Sequence, residues 1–185
     1  AAQGTEAPAA GGAAGEAGGA GTGAAPIIGI IALGAAAAGL AAAAAGGAVA
    51  HCLTIGGDDV RLRFAGPTLV PRIMPAFQHL ATRPTAATPA LTVCLWDSVS
   101  TGVSMPPPPW THDDYRERGE VRGYNDARFR TAYALGSGVL SMLDTASGQA
   151  CFWVRDAGTL AYWESGAPLL TLLHWWFNHA QRQLL

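Results

Sequence analysis

The stretch Arg128-Phe129-Arg130-Thr131-Ala132-Tyr133-Ala134-Leu135-Gly136-Ser137-Gly138-Val139-Leu140-Ser141-Met142-Leu143-Asp144 decides the fold. In it Phe129, Thr131, Tyr133 and Leu135 alternate with Arg128, Arg130 and Ala132, the two-residue period of a strand with one covered face. Gly136-Ser137-Gly138 bends the chain, and Val139–Leu143 runs to the turn Asp144-Thr145-Ala146-Ser147-Gly148. Gln149–Val154 returns, and Arg155-Asp156-Ala157-Gly158 turns once more. Three short strands joined by tight turns predict an antiparallel meander. Interleaved aromatics and arginines would also suit base stacking, but the balanced charge favours a half-buried sheet.

Upstream, His51–Ile55 and Val60–Phe64 alternate about the turn Gly56-Gly57-Asp58-Asp59 and predict a hairpin with its arginines outward. Gly66-Pro67 then opens a helix over 68–81, with Leu69, Ile73, Phe77 and Leu80 on one stripe, made irregular by Pro71 and Pro75. Leu91–Trp96 reads as a largely buried strand. Downstream, Gly166-Ala167-Pro168 starts the clearest helix, with proline in its first turn. There Leu169, Leu172, Leu173, Trp176, Phe177, Ala180 and Leu184 recur at three- and four-residue spacing, and Trp175, Asn178, His179, Arg182 and Gln183 cover the rest. The fold class is therefore α+β: an antiparallel meander-type sheet with two or three packing helices.

The amino-terminal side differs in kind. The first 50 residues hold 23 Ala and 13 Gly with only Glu6 and Glu16 charged. Residues 1–25 bury too little apolar surface to fold and predict a flexible arm. Residues 26–50, from Pro26-Ile27-Ile28-Gly29-Ile30-Ile31-Ala32-Leu33 onward, are uncharged and read as a linker or a marginal Ala-rich membrane helix, without an aromatic belt or basic flank. Residues 51–185 form the α+β domain.

All 11 basic residues of the chain lie in 51–185 with 11 of its 13 acidic ones, so that domain is formally neutral. Neutrality argues against a general polyanion binder. Every basic residue is arginine, which rules out a lysine Schiff base, a lysine general base and the lysine of a phosphate-binding loop in this polypeptide. Cys52, Cys94 and Cys151 are odd in number and widely spaced, with no CxxC pair, and Cys94 and Cys151 read as small buried hydrophobes in strands of a reduced, cytoplasmic protein. Membrane association through 26–50 is the alternative.

Pro106-Pro107-Pro108-Pro109-Trp110 predicts a stiff extended spacer whose tryptophan packs onto the body, in preference to a docking motif. The densest charge, His112-Asp113-Asp114-Tyr115-Arg116-Glu117-Arg118-Gly119-Glu120, predicts a short solvated helix capped by Thr111. For an independent enzyme, chemistry would rest on His112, Asp113, Asp114, Glu117, Glu120 or Asp126, and their spacing makes no known constellation. His174 and His179 are five apart, not the four of a metal-binding helix face. No catalytic, cofactor-binding or metal-binding residue is assigned.

Met105–Trp110, Arg118-Gly119-Glu120-Val121-Arg122-Gly123-Tyr124-Asn125-Asp126, Gly136–Asp144, Phe152–Ala157 and Gly166–Leu170 with Leu172–Trp176 together resemble the N-terminal half of bacterial HPr-serine-kinase-like proteins, also called phosphoenolpyruvate-carboxykinase-like. The resemblance covers about residues 51–185. It implies an α+β front region packed against an ATP-binding domain, whose phosphate loop ending in Gly-Lys-Ser/Thr would lie beyond this chain and would bring ATP and Mg. Gly136-Ser137-Gly138 cannot substitute, having no lysine and no following helix. The expected function is thus the non-catalytic front of a kinase-like protein, its partner the kinase-like domain, with Leu169, Leu172, Leu173, Trp176 and Phe177 as packing or interface residues that would leave the isolated chain poorly soluble or oligomeric. The alternative is a self-contained protein-interaction module on an Ala/Gly-rich linker or anchor.

Overall fold

A computed structural model of the chain describes residues 47–83, 88–105 and 107–183, together with positions 34, 41 and 45. The arm over 1–25 and almost all of 26–46 lie outside the described residues. Among those described, no helix is long and apolar enough to cross a membrane.

The fold is α+β, built on one six-stranded sheet. The strands are β1 (Ala48–Ile55), β2 (Asp58–Ala65), β3 (Leu91–Asp97), β4 (Phe129–Ala134), β5 (Val139–Asp144) and β6 (Gln149–Val154), in the order β1-β2-β3-β6-β5-β4. The hairpin β1–β2 and the meander β4–β5–β6 are antiparallel, as their short turns require. Between them, β3 runs parallel to both β2 and β6, so the sheet is mixed. A central strand with two parallel neighbours is covered on both faces, and β3 is buried at every position except the half-buried Cys94.

The helices are α1 (Val70–Phe77), α2 (Ser98–Thr101), α3 (Tyr162–Gly166) and α4 (Leu170–Gln183). The first is shorter than its hydrophobic stripe predicts. Pro75 inside it removes a backbone donor, and the chain tightens into a 3-10 turn at Gln78–Leu80. Helix α4 begins two residues after Pro168, because Leu169 takes φ 60°, a conformation unusual for a bulky residue. That turn directs the fully buried Leu169 side chain into the core ahead of the helix.

Two cores lie on opposite faces of the sheet. One face carries Leu53, Val60, Leu62, Phe64, Leu91, Val93, Leu95, Phe152 and Val154, roofed by α1 and α4. The stripe of α4 closes on this surface: Leu172 is fully buried, Trp176 is buried, and Leu173 and Phe177 pack half-buried beside them. The five packing residues therefore lie in or against the core cluster on this face of the chain's own sheet. Trp175, expected on the outer surface, is also buried, at 7% exposure, because it joins the core cluster on this face of the sheet, so α4 hides a wider arc than its stripe.

The other face is graded in cross-strand rows. Trp96, Trp153, Leu140 and Tyr133 form one row, Arg63, Cys94, Cys151, Met142 and Thr131 the next, and Cys52, Arg61, Thr92, Gln149 and Asp144 the third. The segment 103–124 wraps the aromatic end with Trp110, Val121 and Tyr124. Its indoles are satisfied: Trp96 Nε1 donates to Val103 O at 3.3 Å, Trp153 Nε1 to Ser98 Oγ at 2.8 Å, and Trp110 Nε1 to the Tyr115 hydroxyl at 2.9 Å. Pro107–Pro109 are exposed and Trp110 is buried. That is the spacer-and-anchor arrangement read from the sequence, with Pro106 outside the described residues.

Candidate functional site

The outer edge of β4 is closed by the segment 118–126, and this closure builds a cleft. Gly119 O accepts from Tyr133 N at 2.7 Å, and Val121 N donates to Thr131 O at 3.2 Å. Gly119 has φ 76°, and a Cβ there would lie 2.7 Å from Tyr133 O, so only glycine admits so close an approach. Asn125 completes the seam. Its Nδ2 donates to Val121 O at 2.8 Å and Thr131 O at 2.9 Å, while its Oδ1 accepts from Thr131 N at 2.9 Å. The side chain thus offers Thr131 a donor and an acceptor, as the peptide of a neighbouring strand would, and an edge open to pairing is shut.

Two carboxylates fix the start of β4. Asp126 Oδ1 accepts from the backbone N of Arg128 and Phe129 at 2.7 and 2.6 Å. Asp144, 4% exposed, takes both oxygens to Arg128, at 2.8 Å from Nε and 2.9 Å from Nη2. Hydrogen bonding from that guanidinium, ahead of opposing desolvation, holds the Asp144 carboxyl below its usual range.

Between this closed edge and α4 lies a cleft of 740 Å³. Arg118, Glu120 and Asp126 form one wall and Arg130, Ala132 and Thr145 the floor. Leu170, Thr171, His174, Trp175, Asn178 and His179 of α4 form the other wall. The Asn178 amide nitrogen lies 2.9 Å from His174 Nε2; with the amide donating, this ring nitrogen is the acceptor and the proton sits on Nδ1. The Arg130 guanidinium stands 6.0 Å from the centre of the Trp175 ring. The lining therefore pairs two guanidiniums with two carboxylates and adds two imidazoles and an amide. The cleft therefore presents both signs of charge side by side. Among the described residues no cluster of three or more His, Cys, Asp or Glu can hold a metal.

The residues weighed for independent catalysis do not converge. Asp114 accepts from Thr111 N at 2.8 Å and Thr111 Oγ1 at 3.0 Å, capping a 3-10 turn over His112–Asp114, and these bonds lower its pKa. His112 sits edge-on to Tyr115 at 6.0 Å. Neither lines the cleft; Glu120 and Asp126 do. His174 and His179, unpromising by their spacing, both line that cleft. Cys94 and Cys151 are neighbours on β3 and β6, and burial raises both thiols, as expected of packed hydrophobes rather than nucleophiles. Compared with known proteins, the chain matches no family model, no curated protein and no solved structure.

Proposed function

We propose that this chain is the non-catalytic front portion of an HPr-serine-kinase-like, ATP-dependent protein, and that the cleft between α4 and the 118–126 segment recognises the phosphate acceptor or braces the P-loop domain. The observation that carries this reading is the cleft's construction. One wall comes from Arg118–Asp126 and the other in part from Leu170, His174 and Trp175, residues of two of the stretches on which the resemblance rests. Separated by about 40 residues of sequence, the two stretches meet at one polar surface. The absence of lysine agrees with a supporting role, since a phosphate loop needs a lysine and the chemistry would have to come from the partner domain.

The test combines the full chain with a separately purified P-loop domain of an HPr-kinase-like protein. The chain alone is expected to show no ATP turnover and no uptake of Mg-ATP by calorimetry. With the P-loop domain it should form a complex that Arg130→Ala weakens. Turnover by the chain alone, or no complex under any nucleotide condition, ends the proposal.

A second reading, a self-contained protein-interaction module, is favoured by one feature. Tyr162 (83% exposed), Trp163 (57%) and Leu170 (65%) stand in solvent, and Tyr and Trp are the residue types enriched among the anchors of protein interfaces. Binding of a protein partner that survives saturation of the cleft and is lost on Trp163→Ala would favour this reading over the first.

A further inference from the structure

The graded face of the sheet has a polar end that no element described here covers. On β1, β2 and β3 the row Cys52–Arg61–Thr92, continued by Gln149 of β6, lies beside Arg63, and Arg83 borders the same shallow depression. Arg63 and Arg83 are exposed, and Arg61 and Cys52 are half-buried. Arg61 and Arg63 are two residues apart on one strand face, hence about 6.6 Å apart along it. Asp59 shares this face at the start of β2 and offsets part of the charge, leaving three guanidiniums against one carboxylate. At the far end of the row, Asp144 is neutralised by Arg128. In a domain whose charge sums to zero, this is a local positive field.

We propose that this arginine-bearing sheet face docks an acidic polypeptide segment, one rich in Asp and Glu. Three observations choose that occupant. Guanidinium forks match carboxylates two-to-two, and Thr92 and Gln149 add neutral polar groups between them. The depression is broad and open, so a small anion would stay largely hydrated in it, while an extended segment crossing β1 to β3 reaches all three arginines. Among the described residues the one aromatic ring lining the depression is the half-buried His51 imidazole, set edge-on to Phe64, and the aromatic row is sealed under Trp110, so bases find no tryptophan, tyrosine or phenylalanine on which to stack. This face is opposite the α4 cleft, and the inference stands independently of the function proposed above.

The probe is a fluorescently labelled eight-residue peptide of alternating Glu and Ala, titrated with the full chain and followed by anisotropy. The counterparts are the same peptide with Gln for Glu, inorganic phosphate as competitor, and an eight-nucleotide single-stranded DNA. The Glu peptide is expected to bind, to weaken steeply as salt rises from 50 to 300 mM, and to resist millimolar phosphate. The double substitution Arg61→Gln/Arg63→Gln should weaken it at least tenfold with an unchanged melting temperature. Arg61→Lys/Arg63→Lys should recover part of the loss and guards against a folding artefact. Equal binding of the Gln peptide, equal or tighter binding of the DNA, full displacement by phosphate, or no effect of the double substitution in a folded protein would each overturn the proposal.

Discussion

Replacing Asn125 with alanine probes the seam that makes the cleft. The substitution removes three hydrogen bonds of 2.8–2.9 Å and leaves the backbone N–H of Thr131, a residue 1% exposed, without its acceptor. Thr131 O retains the bond from Val121 N at 3.2 Å, so the loss on that side is partial. Net hydrogen bonds contribute about 0.5–1.5 kcal/mol each, and an orphaned buried donor costs about 1–3 kcal/mol. A combined loss of about 2–4 kcal/mol follows, which lowers the melting temperature of a domain this size by about 7–14 °C. Differential scanning calorimetry reads the shift, and light scattering should rise with it, because freeing β4 exposes strand-pairing groups. Asn125→Asp keeps the acceptor but sets a carboxylate against two carbonyl oxygens. It should be destabilised at neutral pH and partly relieved when acidification lets the carboxyl donate. A folded Asn125→Ala protein melting within 2 °C of the parent, with unchanged scattering, would refute the view that this side chain holds the edge.

Other outcomes follow from the same geometry. Asp144 has its pKa depressed in the folded state, so its contribution is full above the ordinary aspartate value and is lost as pH falls through the lower folded one; denaturation curves of the parent and Asp144→Asn should converge below about pH 4. Leu172→Ala, at a fully buried α4 position, should cost about 2–5 kcal/mol by urea unfolding, whereas Leu170→Ala on the exposed face should stay within about 0.5 kcal/mol. Gly148→Ala should cost about 3 kcal/mol or more or prevent folding, as its Cβ would lie 2.3 Å from Ala90 O at φ 62°; circular dichroism and melting report it.

Local pattern carried much of this architecture into view. The alternation of 129–135, the turns at 136–138 and 144–148, and the hairpin at 51–64 became strands and turns where the residues put them, because a two-residue period and a tight turn are decided by neighbours. The placement of β3 between β2 and β6 was not legible, since it depends on a parallel pairing between residues such as Cys94 and Cys151 that are far apart in the chain. The cleft was hidden for the same reason. Arg118 and Glu120 read as a solvated charge run and His174 and His179 as helix surface, until the closure of β4 by Asn125 brings the two segments face to face. Trp175 reads as surface from its place on the helical stripe, yet it is buried in the core cluster with the sheet residues.

The position of β3 also sets a schedule for synthesis. Leu91–Asp97 leaves the ribosome after β2, yet its other flank is completed by β6, whose first residue is made more than 50 residues later. At a translation rate of about 5–20 residues per second, one side of a sticky seven-residue ribbon waits for seconds with its amides unpaired. Slowing elongation between codons 98 and 149 should lengthen that window, and the nascent chain should then lean more heavily on whatever holdase guards the exit tunnel.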